Sequence, residues 1–218
     1  MLCSGGLDSV VLAADLAATT CVHPIYVASG LAWEREERAM LERALQAFPG
    51  GARLAPLHVI DASVRDVYAP THWSFTGRAP AYDTPDEDVY LVGRNIVLLG
   101  KTAVYCSVHG IDRIVLGPLA GNPFPDATPE FFEAMAHALS LGLAHGIRIE
   151  TPYRTWQKSD VVRRGQQVGA PMGLTMSCMQ PVDGVHCGAC SKCRERHDAF
   201  IDAIGNDPTR YAVKRSDV

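Results

Sequence analysis

The sequence predicts an α/β fold: a doubly wound, mostly parallel five-stranded sheet followed by a small cysteine-rich segment. Three observations predict it. Ser4-Gly5-Gly6-Leu7-Asp8-Ser9 stands between the apolar lead-in Met1-Leu2-Cys3 and the apolar run Val10 to Ala17, an order that reads as strand end, tight turn, helix start. Strand-like and helix-like stretches then alternate, the signature of βαβ units. Near the end, Cys178, Cys187, Cys190 and Cys193 crowd into one glycine-containing stretch.

The front of the chain carries the first candidate site. Gly5 and Gly6 permit backbone angles closed to other residues and let a ligand approach the main chain. The helix behind them offers unpaired N–H groups and the positive end of its dipole, which together make a phosphate seat. Ser4 and Ser9 add hydroxyl donors. Asp8 can cap the helix or hold a magnesium ion beside the phosphates. No Gly-Lys-Ser/Thr follows, so this is not a Walker A loop.

Residues 22–28 read as a second strand and 34–48 as a helix, with Met40, Leu41, Ala44, Leu45 and Phe48 at helical spacing. Gly50-Gly51 ends it, and 54–60 reads as a third strand. The stretch 61–93 breaks the rhythm with three prolines and several aromatics, and is expected to be a partly ordered lid. Arg94-Asn95 opens an apolar helix to about Val108. Residues 113–116 read as a fourth strand, and the loop 119–128 lies at its carboxyl end, where open α/β sheets place ligands. Pro129 suits a first helical turn, with Phe131, Phe132, Met135, Leu139 and Leu143 as a buried stripe. Residues 147–150 read as a fifth strand, and a short helix opens near Lys158-Ser159-Asp160. A first strand of three residues is short, so the strand is clipped or the natural start lies upstream.

The chain has 218 residues, nearly half of them hydrophobic, enough for one domain with a small appendage. A net charge of −4 argues against a chain-wide nucleic-acid surface. No targeting segment is seen, and the apolar stretches are too short to span a bilayer, so a cytoplasmic protein is expected. Cys3, Cys21 and Cys106 stand alone and read as small buried hydrophobes. The other four suit a tetrahedral zinc ion with a closed shell, hence a structural one. A redox dithiol and an iron–sulfur cluster are the rival readings, and His186 and His197 are possible substitute ligands.

Taken together, the SGGxDS-type loop, Val92-Gly93-Arg94-Asn95, Thr151-Pro152 with Lys158, and the terminal four-cysteine site resemble the QueC/ExsB family of PP-loop ATP pyrophosphatases, the 7-cyano-7-deazaguanine (preQ0) synthases. The resemblance implies a PP-loop ATP-binding domain over 1–170 and a zinc segment, 171–218, packed on it. It implies ATP, Mg2+ and Zn2+, a 7-deazaguanine carboxylate and ammonia as substrates, and a homodimer. It assigns Ser4, Gly5, Gly6, Leu7, Asp8 and Ser9 to the nucleotide. Asp8, Arg94 and Lys158 are the catalytic candidates. Arg94, Asn95 and Asp126 are the substrate candidates, and the four cysteines hold the metal. One departure stands out: the family's Tyr-Pro-Asp-Cys-Arg run reads Phe124-Pro125-Asp126-Ala127-Thr128 here. A related ligase acting on another carboxylate or amine is therefore the alternative. A tRNA-modifying enzyme, with Lys192, Arg194 and Arg196 on nucleic acid, is the second.

Overall fold

In the computed structural model, residues 1–213 are described, so the last five residues of the expected 171–218 segment lie outside them. The helices are α1 (Leu7–Ala17), α2 (Glu34–Gln46), α3 (Trp73–Thr76), α4 (Arg94–Val108), α5 (Pro129–Leu143), α6 (Lys158–Gln167) and α7 (Ser191–Ile204). The strands are β1 (Ile25–Ala28), β2 (His58–Asp61), β3 (Arg113–Val115) and β4 (Arg148–Glu150).

Among the described residues these strands form two parallel pairs, β1 with β2 and β3 with β4, not the single five-stranded sheet expected. The reason lies in the short first segment. Met1-Leu2-Cys3 is too short for a regular strand, and Leu2 makes only an isolated parallel bridge to Ile25. Its backbone nevertheless bonds to both pairs. The Leu2 N–H donates to Val115 O at 2.9 Å, and the Cys3 N–H donates to Ile25 O at 2.8 Å.

Side chains alternate across this layer, as a pleated backbone requires. Met1, Cys3, Tyr26 and Val115 join the core built with α1, α2, α6 and α7. Leu2, Ile25, Val27, Ile114 and Leu116 join the core built with α4 and α5. Helices thus cover both faces at the centre of the layer, where β1 (Ile25–Ala28) is apolar throughout, while the outer strands β2 and β4 keep polar residues such as His58, Asp61, Arg148 and Glu150. Helix α1 is buried along almost its whole length, with Val10, Val11 and Ala13 fully inaccessible.

Local chemistry sets the helix starts. Thr128 Oγ1 accepts from the Phe131 N–H at 3.1 Å and Pro129 follows, so α5 starts where the sequence says. Gln157 and Asp160 form a capping box that opens α6 at Lys158. The segment 61–93 is ordered by aromatic packing, with Trp33 and Trp73 stacked at 5.7 Å. It joins a third core with the four cysteines, Leu31, Val89 and Leu91. Two helices, α3 and α7, were not expected. Of the three lone cysteines, Cys3 and Cys106 are buried as expected, but Cys21 is exposed, at the turn after α1. Among the described residues no helix is long and apolar enough to cross a membrane.

Candidate active site and metal centre

Two contiguous hollows of ≈ 310 Å³ each open past the carboxyl end of β3 and around the loop that follows Cys3, and Ile25, Tyr26 and Val27 of β1 line the first. Ser4, Gly6, Asp8, Glu37 and Arg94 line both. Ser9, Asn95 and Asp126 line the first, Leu7 and Lys158 the second. Every nucleotide, catalytic and substrate candidate expected from the sequence except Gly5 therefore meets in one place. Gly5 lies behind the wall at φ +82°, where a Cβ would sit 2.8 Å from Glu37 O. Only glycine fits there. Its carbonyl accepts from the Met176 N–H at 2.8 Å, which fastens the loop to the cysteine-bearing segment.

Gly6 is the N-cap of α1 and no side chain caps that end. Asp8 sits inside the first turn, so its expected capping alternative is not realised. The open N–H groups at the helix start face the hollow as an anion seat. Ser4 Oγ lies 3.3 Å from Ser9 Oγ and accepts from the Gly6 N–H at 3.3 Å. The Ser9 hydroxyl also donates to Gly6 O at 3.1 Å.

Lys158 arrives from the start of α6. Its Nζ lies 2.9 Å from Asp8 Oδ2 and 3.1 Å from Glu195 Oε1. Burial works against its charge, but the two carboxylates outweigh burial and push its pKa up. Burial likewise opposes the charge on Glu195, yet Lys158 and Lys192 hold it down at about 2. The second oxygen of Asp8, Oδ1, is buried without a hydrogen-bond partner among the described residues. An orphan carboxylate oxygen costs energy unless something binds it, and a cation fits this one.

Arg94 opens α4 beside the loop, and its Nε is also buried without a hydrogen-bond partner among the described residues. Asn95 is tied to the loop after β3: its N–H donates to Asp126 Oδ2 at 2.9 Å and its Nδ2 to Asp126 O at 2.8 Å. Asp126 thus caps the start of α4 and fixes how Arg94 and Asn95 enter the hollow.

Sequence reasoning missed Glu37. It is buried, accepts a hydrogen bond from the Tyr26 hydroxyl at 2.7 Å, and lines both hollows. Burial raises its pKa to about 7, against the opposing pull of Arg94. A signal was present: Glu37 precedes Leu41 and Ala44 by one and two turns, on the buried stripe of α2.

The four cysteine Sγ atoms all lie within 4.8 Å of one another. Three of the edges measure 3.9, 3.8 and 3.5 Å. A tetrahedral ion with sulfur bonds of about 2.3 Å has edges of about 3.8 Å. The N–H groups of Gln180 and Cys187 point at Cys178 Sγ, and that of Ala189 at Cys187 Sγ, as donors to thiolates do. Hydrogen bonds from its three neighbours hold the Cys190 thiol down, while such bonds push Cys178 and Cys193 up. Four thiolates this close need a cation, so the site fits a metal. The two histidines are engaged elsewhere. His186 Nε2 accepts from the Ser177 N–H at 3.2 Å, and burial holds the ring neutral, down at about 3. His197 Nδ1 faces Asp207 at 3.0 Å.

The basic residues considered for nucleic acid point inward. Arg196 is 1% exposed; its guanidinium donates to Thr175, Met172 O and Thr209. Arg194 donates to the carbonyls of Tyr82 and Thr84. Lys192 lines the second hollow. They do not form the basic surface that reading needs.

The family model for the queuosine biosynthesis protein QueC matches residues 1–204. The chain belongs to the QueC family. It is similar to the 7-cyano-7-deazaguanine synthase of Methanopyrus kandleri, 35% identical over 97% of this chain and 97% of that protein. The synthase of Methanothrix thermoacetophila is 35% identical over 96% of each chain. That of Caldicellulosiruptor bescii is 29% identical over 97% of this chain and 96% of its own. The QueC match covers the loop, both hollows and all four cysteines.

Proposed function

We propose that this chain is an ATP-dependent carbon–nitrogen ligase that turns 7-carboxy-7-deazaguanine, ammonia and ATP into 7-cyano-7-deazaguanine. One observation carries the reading: the glycine loop, Arg94 and Lys158 line one hollow in a chain that matches the QueC family over residues 1–204. The substrate carboxylate attacks the α-phosphorus of ATP and pyrophosphate leaves. The ammonia nitrogen then attacks the acyl carbon, AMP leaves, and a proton is lost to give the amide. The amide oxygen then attacks the α-phosphorus of a second ATP, and a second pyrophosphate leaves. Loss of that AMP and of the amide protons leaves the nitrile.

The residues divide this work. The open N–H groups at the start of α1, with the Ser4 and Ser9 hydroxyls, hold the pyrophosphate. Asp8 Oδ1 is the oxygen for Mg2+, which supplies positive charge beside the phosphates. Lys158 and Arg94 stabilise charge that develops at the α-phosphorus. Arg94 and Asn95 face the substrate. Asp126 reads the guanine-like edge with the oxygen that Asn95 does not take. The four cysteines hold Zn2+, with no open position, so the ion is structural. We take Met1–Cys3 to join β2, β1, β3 and β4 into one sheet, because its backbone bonds to both pairs. The 1–170 and 171–218 division stands with this reading, as do a homodimer and a cytoplasmic site, where ATP is made.

The replacement of the family's Cys-Arg by Ala127-Thr128 favours a second reading, a ligase of the same mechanism for another carboxylate. A titration with 7-carboxy-7-deazaguanine in the presence of ATP and magnesium separates the two. Saturable binding at micromolar to millimolar levels, the usual range for enzyme substrates, supports the deazaguanine reading. No binding well above that range would move the specificity elsewhere.

A further inference from the structure

We propose that Lys192, which lies between two of the metal-site cysteines, is a direct contact for the polyphosphate of the nucleotide. The inference rests on the ATP reading of the same hollow. Cys190 is the N-cap of α7 and Cys193 lies in its first turn, so Lys192 is placed by the metal centre itself. Its side chain lines the second hollow with Asp8 and Lys158. Lys192 Nζ lies 2.8 Å from Glu195 Oε2, while the other oxygen of that carboxylate is 3.1 Å from Lys158 Nζ. One carboxylate therefore holds two ammonium groups against one wall. The row continues at both ends, to Asp8 at 2.9 Å from Lys158 and to Asp86 at 3.7 Å from Lys192.

The bland account is a salt-bridge row that only fastens α7 to α6. Charge and reach favour the other. Asp86 stands beyond hydrogen-bond distance, and its Oδ1 has no hydrogen-bond partner among the described residues. Once Asp8 turns to a divalent cation, Lys158 keeps Glu195 as its carboxylate partner, and Lys192 keeps Glu195 and the more distant Asp86. With a divalent cation bound, that ion, Arg94, Lys158 and Lys192 outweigh Asp8, Glu37, Asp86 and Glu195 in the second hollow, and Lys192 is needed for that positive balance, which suits a polyphosphate. A lysine side chain is a flexible four-carbon arm with three donors, able to follow phosphate oxygens as they leave. The four-cysteine centre then does more than fasten the end of the chain: it delivers a cation to the nucleotide.

The test is calorimetric binding of magnesium pyrophosphate, MgATP and AMP to the full chain and its Lys192→Ala and Lys192→Arg variants, with metal content measured for each. The expected result is about tenfold weaker binding of pyrophosphate and MgATP to the alanine variant, unchanged AMP binding, near-complete rescue by arginine, and unaltered metal content. Pyrophosphate binding equal to wild type in the alanine variant overturns the proposal, and so does an equal loss for AMP, which marks a structural role. If the alanine variant does not fold, Lys192→Gln is read by the same criteria. Wild-type protein that binds neither MgATP nor pyrophosphate fails the ATP reading itself, and the proposal falls with it.

Discussion

Lys158 Nζ donates to Asp8 Oδ2 at 2.9 Å, joining residues 150 positions apart. Neither side chain has this geometry from its own neighbours. Asp8 comes from the first turn of α1 and Lys158 from the first turn of α6, and those helices pack against each other in the core that contains Val10, Val11, Val161 and Val162. The pair therefore depends on the fold, and replacing either residue tests the phosphate site without touching that core.

Asp8→Asn keeps the shape but removes the charge that holds Lys158 and that the proposed reaction assigns to a divalent cation. Magnesium-dependent exchange of labelled pyrophosphate into ATP should fall at least a hundredfold, with thermal stability little changed. Lys158→Ala should cost roughly 10²–10³ in the same assay. Wild-type exchange in Asp8→Asn would remove Asp8 from the site.

Glu37 makes stability depend on pH. Its folded pKa, about 7, lies above the ordinary 4.5, so the folded chain binds the proton more tightly. Its contribution is fully present below pH 4.5 and is lost as pH rises through 7. Glu37→Gln should flatten that fall, worth up to about 3 kcal/mol, and should be more stable than wild type at pH 8. Urea unfolding at pH 5, 6, 7 and 8 reads this; parallel curves for the two proteins would contradict it.

Removing the metal should loosen 172–213 first. Chelation or Cys190→Ser takes away a ligand at the N-cap of α7, and α7 carries the buried Arg196 that binds Thr175 and Met172 O. Hydrogen exchange should rise across α7 and in residues 172–177 before it rises in α4. Simultaneous loss across the whole chain would make the centre essential to the main core.

Asp126→Ala combines two effects. Losing the cap on α4 should cost about 1–2 kcal/mol of stability. Losing a charge-assisted contact to a base edge should reduce preference for deazaguanine acids roughly ten- to a hundredfold. A stability change without a selectivity change would leave Asp126 as a cap alone.

The phosphate loop was legible because its chemistry is local: glycines, hydroxyls and a carboxylate in six consecutive residues. The cysteines were legible for the same reason, since their spacing alone closes a tetrahedron. The start of α4 at Arg94 followed from the apolar run behind Arg94-Asn95, and that of α5 from Pro129, which suits a first helical turn. Glu37 was hidden because a glutamate in an acidic helix reads as a solvated face; only the positions of Leu41 and Ala44 betray it. Helix α7 was hidden by its polar composition and the cysteines at its start, although Cys193, Arg196 and Phe200 fall on one face. Arg196 looked like a surface cation because sequence cannot show that four acceptors from 172, 175, 177 and 209 converge on it. The sheet was overread: three residues before Ser4 can bond to both neighbours, but they are too few to form a regular strand.

The most direct test of the central claim is to incubate the protein with ATP, magnesium, ammonia and 7-carboxy-7-deazaguanine and to identify every product by mass spectrometry. The account predicts AMP and pyrophosphate, a transient amide, and the nitrile 7-cyano-7-deazaguanine as the end product. ADP and phosphate in place of AMP and pyrophosphate, or a deazaguanine acid recovered unchanged while ATP is consumed with another carboxylate, would contradict it.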